Sequence, residues 1–244
     1  MTGAIMTYTG ADNYKNFKAK GINLLDKRAY FIPFSNRKSA EKADMLNAER
    51  ASRRVISLNG KWDFIFFPKG HIPSRLNRID FEKIDVPSCW QIKGYEAPYY
   101  LSDRYMFNCV PPAIPSKDSV GLYRDGKSKK LIKAFDIHNS AAVYRKTVEL
   151  YDMTDKAFIL SFLGVSSCFD LYVNGKFAGY AEDSYSRAEF DVTPYLAAGM
   201  NEIIVIVRKW SSSSYLECHD TYRLNGIYRD VMLFCNNKSH IFDF

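Results

Sequence analysis

Four carboxylates lie close together in residues 179–192, which read GYAEDSYSRAEFDV: Glu182, Asp183, Glu189 and Asp191. A pair of carboxylates can hydrolyse a glycosidic bond, one as nucleophile or base and the other as acid. Carboxylate oxygens also accept hydrogen bonds from sugar hydroxyls and bind hard cations. The segment therefore predicts either a hydrolytic pair or a surface that touches a sugar.

Composition excludes several other classes of site. The five cysteines, Cys89, Cys109, Cys168, Cys218 and Cys235, form no CxxC pair and have no histidine cluster beside them, so we expect reduced thiols and no zinc site. No apolar run approaches the roughly 18 residues of a membrane span, and the N-terminus lacks the pattern of a signal peptide. We therefore expect a cytoplasmic protein with no membrane partner.

The positive charge belongs to one end of the chain. Residues 1–54 hold 11 Lys and Arg against 5 Asp and Glu, a net charge of +6, whereas the whole chain carries +7. This basic stretch shows no zinc finger, RNP motif or basic helix with heptads. We expect an arm that is solvated or docked on a partner surface, and no nucleic-acid binding.

The order of elements predicts an all-β fold. Residues 1–54 form an arm with one helix within residues 36–54, where Ser39 could cap. Residues 55–236 show short strands with period-two alternation, separated by turn residues such as Asn59-Gly60 and Asn174-Gly175, both typical of tight hairpins. Turns every 8–12 residues and no βαβ alternation favour a β-sandwich, specifically a jelly roll. Residues 237–244 read as a linker or the start of a further domain.

Aromatic residues divide between core and loops. Trp62 and Trp210 are predicted to be buried in the core. Trp90, Tyr99 and Tyr100 lie in a proline-rich loop region and could stack on sugar rings, but burial is the favoured prediction.

Four segments carry a family resemblance: SLNGKWDFIFFP, VPSCWQIKGYEAPYY, GVSSCFDLYVNGKFAGYAEDSYSRAEFDVTPYL and RKWSSSSYLECHDTYRLNGIYRDV. In this order they resemble the N-terminal sugar-binding domain of glycoside hydrolase family 2, specifically of the bacterial β-galactosidases. The resemblance implies a retaining enzyme with immunoglobulin-like domains and a TIM barrel that carries both catalytic glutamates. It implies that this chain is a non-catalytic, inactive fragment without catalytic residues, and it leaves a homo-oligomer open for the full-length enzyme.

The resemblance also assigns roles to individual residues. It implies that Asp183 helps bind a sodium ion and the C6 hydroxyl of galactose, while magnesium sites would belong to the barrel. An asparagine of the family falls at Ser102, so Ser102 or its neighbour Asp103 is expected to contact the sugar instead. Structural roles are expected for Glu182, Glu189 and Asp191.

Two other interpretations remain open from the sequence. The chain could be an independent carbohydrate-binding module or lectin that acts without a barrel. It could also be the equivalent domain of a β-glucuronidase or β-mannosidase, although the stretch SSSSYLECHDTYRLNGIYRDV favours a galactosidase.

Overall fold

A computed structural model describes residues 12–76, 79–101, 114, 120–124, 131–136, 138–217 and 220–244 of the chain. Two short α-helices are formed, α1 (Arg37–Glu41) and α2 (Ala48–Ala51), together with 3₁₀ turns at Asp12–Lys15, Met45–Asn47, Thr193–Tyr195 and Ser212–Tyr215. The strands are β1 (Gly21–Ile22), β2 (Val55–Ser57), β3 (Gly60–Phe67), β4 (Glu82–Val86), β5 (Tyr99–Leu101), β6 (Val120–Arg124), β7 (Leu131–Asp136), β8 (Ala141–Leu150), β9 (Lys156–Phe162), β10 (Val165–Ser166), β11 (Cys168–Val173), β12 (Lys176–Glu182), β13 (Ala188–Asp191), β14 (Gly199–Arg208), β15 (Thr221–Arg223), β16 (Gly226–Ile227) and β17 (Val231–Asn237).

Two antiparallel sheets pack face to face, as the sequence predicts. Among the described residues the first sheet has seven strands in the order β1-β12-β11-β14-β8-β3-β4, and the second has four in the order β13-β9-β17-β2. The chain passes repeatedly from one sheet to the other, for example from β8 to β9, from β12 to β13 and from β14 to β17. The predicted all-β sandwich is confirmed.

The core lies between the two sheets and follows the period-two pattern. On β11, Phe169, Leu171 and Val173 all face the main hydrophobic cluster. Trp62 and Trp210 are fully buried, as predicted, with exposed fractions of 0 % and 1 %. Alternation puts every second residue of a strand on one face, so Phe169, Leu171 and Val173 all join this cluster, which also contains Trp62.

The two Asn-Gly pairs behave differently. Asn174 and Gly175 adopt φ angles of 49° and 75° and close the predicted β11–β12 hairpin. The hairpin predicted at Asn59-Gly60 is wrong, because β2 pairs with β17 while β3 pairs with β4 and β8. Here the pair marks a crossover between sheets, held by the Asn59 side chain, which accepts a 3.0 Å bond from the N–H of Val231.

The N-terminal arm is not one helix. Asn36, rather than Ser39, caps α1 by accepting a hydrogen bond from the Ser39 N–H at 2.9 Å. Asp44 then caps the separate 3₁₀ turn at Met45–Asn47. Asn and Asp side chains compete for backbone N–H groups and so favour caps over helix interiors, which explains the break.

The arm packs along the sandwich. Strand β1 pairs with β12 and so adds a strand to the first sheet. The Arg28 guanidinium reaches Glu189 on β13, at the second sheet.

Within the described part of the chain, no helix combines the length and apolar character needed to cross a membrane.

Candidate functional site

Asp183 begins the turn that joins β12 to β13. Its φ of 92° lies in the left-handed region, which Asp tolerates better than most residues. Its Oδ1 accepts hydrogen bonds from the backbone N–H groups of Tyr185 at 3.2 Å and Ser186 at 3.1 Å. This local arrangement is an Asx-type turn, in which the side chain replaces a backbone acceptor.

The second carboxylate oxygen of Asp183 faces the surface. Oδ2 lies 3.4 Å from the ammonium of Lys27 on the arm, and 48 % of the Asp183 side chain is exposed. Burial by itself raises the pKa of Asp183, but the Ser186 side chain, the Lys27 charge and the turn N–H groups outweigh it, so the pKa lies below its usual value. The group is therefore an anion at neutral pH, about half exposed, and its second oxygen is paired with the exposed Lys27 ammonium.

The neighbouring carboxylate, Glu182, lies on the other side of the strand. Its side chain is 1 % exposed. It accepts hydrogen bonds from Ser212 Oγ at 2.8 Å and from the Ser213 N–H at 3.0 Å. Successive residues of a strand point to opposite faces, so Glu182 is an internal anchor whereas Asp183 is a surface group.

The other two carboxylates of this segment also have internal partners. Glu189 forms a bidentate pair with Arg28, at 2.8 and 2.9 Å. Asp191 accepts a hydrogen bond at 3.0 Å from the N–H of Thr193. The side chains of the segment thus engage separate partners and do not form a facing pair for hydrolysis.

A small cavity of about 190 Å³ lies beside the Asp183 turn. Strands β10 and β15 contribute to its walls, and its lining residues are Cys89, Ser166, Ser184, Tyr185, Thr221, Tyr222, Arg223, Leu224 and Tyr228. Another cavity, of about 200 Å³, lies on the arm side of the turn and is lined by Lys27, Arg28, Ser186 and Arg187 among others. The turn therefore separates two concave surfaces.

Ser102 and Asp103, the other sugar-contacting residues predicted from the sequence, lie outside the described residues. The residue before them, Leu101, pairs with Thr221 on β15, and Thr221 lines the cavity beside the Asp183 turn. The chain therefore enters the predicted loop next to that cavity.

The aromatic residues of the loop region differ in burial. Trp90 is fully buried, as predicted, and its indole N–H donates to Glu96 at 3.1 Å. The burial predicted for Tyr100 is wrong, because Tyr100 is 50 % exposed and packs against Tyr222 with ring centroids 5.3 Å apart. The side chain of Tyr99 lies outside the described residues.

The grouping of ionisable side chains bears on metal binding. Among the described residues, no three His, Cys, Asp or Glu side chains come together as a group that could hold a metal ion. The described cysteines, Cys89, Cys168 and Cys235, are free thiols, in agreement with the prediction. Burial raises the pKa of the Cys89 thiol to about 11, so this cavity-lining cysteine is unreactive at neutral pH.

Sequence reasoning missed the residues that support the Asp183 turn from behind. Glu217 accepts hydrogen bonds from the backbone N–H of Ser184 at 2.7 Å and from its Oγ at 2.6 Å. The two residues are 33 positions apart, so no local spacing signals the contact.

Comparison with known proteins identifies the family. The family described as "Glycosyl hydrolases family 2, sugar binding domain" matches residues 128–237. A β-galactosidase of Actinobacillus pleuropneumoniae is 35 % identical over 226 residues, which cover 91 % of this chain and 20 % of that protein. This chain carries a glycosyl hydrolase family 2 sugar-binding domain. It spans about a fifth of the length of the curated relative that it matches.

Solved structures share the fold of this family 2 domain. A β-glucuronidase of Bifidobacterium dentium superposes with a TM-score of 0.51 at 18 % identity, over 75 % of this chain and 30 % of the other. A β-glucuronidase of Bacteroides uniformis superposes with a TM-score of 0.50 at 20 % identity, over 74 % of this chain and 18 % of the other. At these identities the likeness shows the fold alone.

Proposed function

We propose that this chain is the non-catalytic sugar-binding domain of a β-galactosidase that hydrolyses terminal β-galactosides. The observation that carries the proposal is the surface oxygen of Asp183, an anionic group held on a turn between two concave surfaces. The 35 % identity to a β-galactosidase supports this substrate class over the glucuronides and mannosides of related enzymes. The proposed assembly places both catalytic glutamates on a barrel domain of the same polypeptide.

The size of the cavity fits a partial rather than a complete sugar site. Pockets that enclose small molecules commonly measure roughly 300–1,000 Å³ and bury most of the ligand. The cavity beside Asp183 measures about 190 Å³. In our proposal this domain supplies one edge of the galactose pocket, and the barrel supplies the other walls.

Asp183 suits one ligand position of a sodium site. Its Oδ2 is a hard anionic oxygen paired with the exposed Lys27 ammonium, which a sodium ion would displace, whereas its Oδ1 is engaged by the N–H groups of the turn. The described residues bring no three His, Cys, Asp or Glu side chains together, and we propose that further oxygen ligands come from other parts of the enzyme. When bound, the sodium ion would supply positive charge beside the sugar C6 hydroxyl.

Asp183 would accept a hydrogen bond from that hydroxyl, and Ser102 or Asp103 is proposed to contact another hydroxyl of the sugar.

A competing function is a lectin that binds galactose without a barrel. The two proposals differ in what the isolated chain can do.

The test compares the isolated chain with the longer polypeptide that contains a barrel. We expect no turnover of a chromogenic β-galactoside by the chain, no micromolar binding of galactose in a calorimetric titration, and β-galactoside hydrolysis by the longer protein. Micromolar binding by the chain would support the lectin and contradict the proposal. Preferential hydrolysis of a β-glucuronide or β-mannoside by the longer protein would contradict the proposed substrate class.

A further inference from the structure

One glutamate supports the Asp183 turn from the interior. Glu217 follows the 3₁₀ turn Ser212–Tyr215, and both of its oxygens accept hydrogen bonds from Ser184, at 2.7 Å from the backbone N–H and 2.6 Å from Oγ. Ser184 is only 3 % exposed. A carboxylate that accepts two short bonds from one residue holds that residue in position and orientation.

The remaining polar groups of Ser184 are also bonded. Its carbonyl accepts a hydrogen bond from the Tyr228 hydroxyl, and its Oγ lies 3.3 Å from Ser166 Oγ. The backbone on both sides of the Ser184 α-carbon is therefore tied to the interior. Because Asp183 directly precedes Ser184, these bonds restrict the orientation of Asp183 as well.

The restriction matters because Asp183 has an unfavourable backbone conformation. Its φ of 92° is rarely adopted by a residue with a side chain, and such a conformation persists when surrounding contacts fix it. Removal of the Glu217 carboxylate would leave the buried Ser184 N–H without its acceptor. The turn would then relax toward a more ordinary conformation, and Asp183 would move with it.

We propose that Glu217 is a positioning residue for Asp183, which fixes the turn through Ser184 and so holds Asp183 Oδ2 toward the proposed sodium and sugar pocket. The proposal rests on the function proposed above for Asp183. Glu217 itself touches neither ligand in this account. It acts through two hydrogen bonds to a single serine.

The first test measures the turn in the chain itself by amide hydrogen exchange. In Glu217→Ala we expect exchange at Ser184, Tyr185 and Ser186 to be at least about tenfold faster than in the wild type, because local opening of the turn exposes these amides. Glu217→Gln should restore slow exchange, since its amide can accept from the Ser184 N–H and donate to Ser184 Oγ. Glu149→Ala is the matched control, because exposed Glu149 accepts one hydrogen bond, from Tyr151. Unchanged exchange in Glu217→Ala, or no recovery in Glu217→Gln, would overturn the proposal.

The second test measures sodium in the full-length enzyme, by ²³Na relaxation and by the sodium dependence of hydrolysis. We expect Glu217→Ala to raise the half-saturating sodium concentration about tenfold while kcat at saturating sodium stays within about twofold. Glu217→Gln should resemble the wild type. A general loss of folding would lower kcat and would not be corrected by sodium, so it is distinguishable.

Two single variants separate this proposal from the function on which it rests. Asp183→Asn should abolish the sodium response, whereas Glu217→Ala should weaken it, because Glu217 acts through Asp183. If Glu217→Ala has the sodium requirement of the wild type while Asp183→Asn has lost its sodium response, only the role of Glu217 is overturned. A normal sodium response in Asp183→Asn would contradict the proposed function itself.

Discussion

At the scale of single residues, Asp183 and Glu182 show how adjacent carboxylates acquire different roles. Glu182 ends β12 inside the protein, where serine groups surround its carboxylate. Asp183 begins the turn, uses one oxygen to form it and presents the other oxygen at the surface. The difference follows from strand alternation and from the change of backbone direction at Asp183.

Asp170 is a second carboxylate whose environment was not evident from its own sequence neighbours. It lies on β11, is 2 % exposed and accepts a hydrogen bond from Asn13 of the arm at 3.3 Å. Burial raises the pKa of Asp170 to about 6, although the charge of Arg208 and the Asn13 bond act in the opposite direction. In the unfolded chain the same group has a pKa near 3.8.

This shift predicts a pH dependence of stability. Between pH 4 and 6 the folded chain binds more protons than the unfolded chain at Asp170, so the contribution of this residue is fully present below pH 4 and is lost as pH rises through 6. The shift of about two pKa units corresponds to roughly 3 kcal/mol. We expect urea unfolding of Asp170→Asn to lack this component, so its free energy of unfolding relative to the wild type should increase from pH 4 to pH 7. A constant difference across that range would contradict the assigned pKa.

At the scale of elements, the arm is joined to the sandwich through a buried ion pair. Arg28 and Glu189 are 6 % and 3 % exposed at their side chains, and Arg187 lies 3.4 Å from the same carboxylate. The guanidinium of Arg28 also lies 5.0 Å from the ring centre of Phe31 and 5.7 Å from that of Phe242. The arm and the chain end thus meet at one charged residue.

Breaking this pair should destabilise the domain. Arg28→Met leaves Glu189 buried with a weaker partner, and loss of one member of a buried pair costs roughly 3–5 kcal/mol. Replacing both residues, in Arg28→Met/Glu189→Leu, should recover part of the loss because no buried charge is left uncompensated at Glu189. Arg37→Met is the control, since Arg37 pairs with Glu41 at the surface and should have little effect on urea unfolding. Equal losses in Arg28→Met and Arg37→Met would show that the arm does not depend on the buried pair.

The sequence pattern predicted those elements that are determined by residues close together in the chain. The alternation of Phe169, Leu171 and Val173 indicated the inner face of β11, and Asn174-Gly175 indicated the hairpin after it. The Asn59-Gly60 pair carries the same local signal, yet its strands belong to different sheets, because β2 pairs with β17 and β3 pairs with β4 and β8. A local signal for a turn does not say which strands the turn connects.

The candidate site also contains features that the sequence predicted and features that it did not. Family resemblance indicated Asp183, and the sequence analysis expected a structural role for Glu182. The support from Glu217 and the burial of Asp170 under Asn13 both arise from contacts between distant segments. Such contacts depend on how the arm and the loops fold back on the sheets, which residue spacing does not encode.

At the scale of the whole molecule, the proposed function assigns the surface around the Asp183 turn to a pocket that other domains complete. The Asp183 turn lies between cavities of about 190 and 200 Å³, and neither encloses a complete sugar by the usual sizes of ligand sites. The shared length with the curated β-galactosidase is a fifth of that protein. The cavity sizes fit the proposal that this domain completes a site built mainly by other domains.

The measurement that tests this account most directly is the hydrolysis of a β-galactoside and of its 6-deoxy analogue by the full-length enzyme carrying Asp183→Asn. Loss of one good polar contact to a charged group is on the order of 1–3 kcal/mol, so we expect kcat/KM for the galactoside to fall about 10- to 100-fold. The fall should be smaller for the 6-deoxy analogue, which lacks the C6 hydroxyl, and the sodium response should disappear. Asp191→Asn, which changes a nearby carboxylate that caps the Thr193 N–H, is the control and should leave both substrates and the sodium response unchanged. Equal losses on the two substrates, an unaltered sodium response, or the same losses in Asp191→Asn would contradict the account.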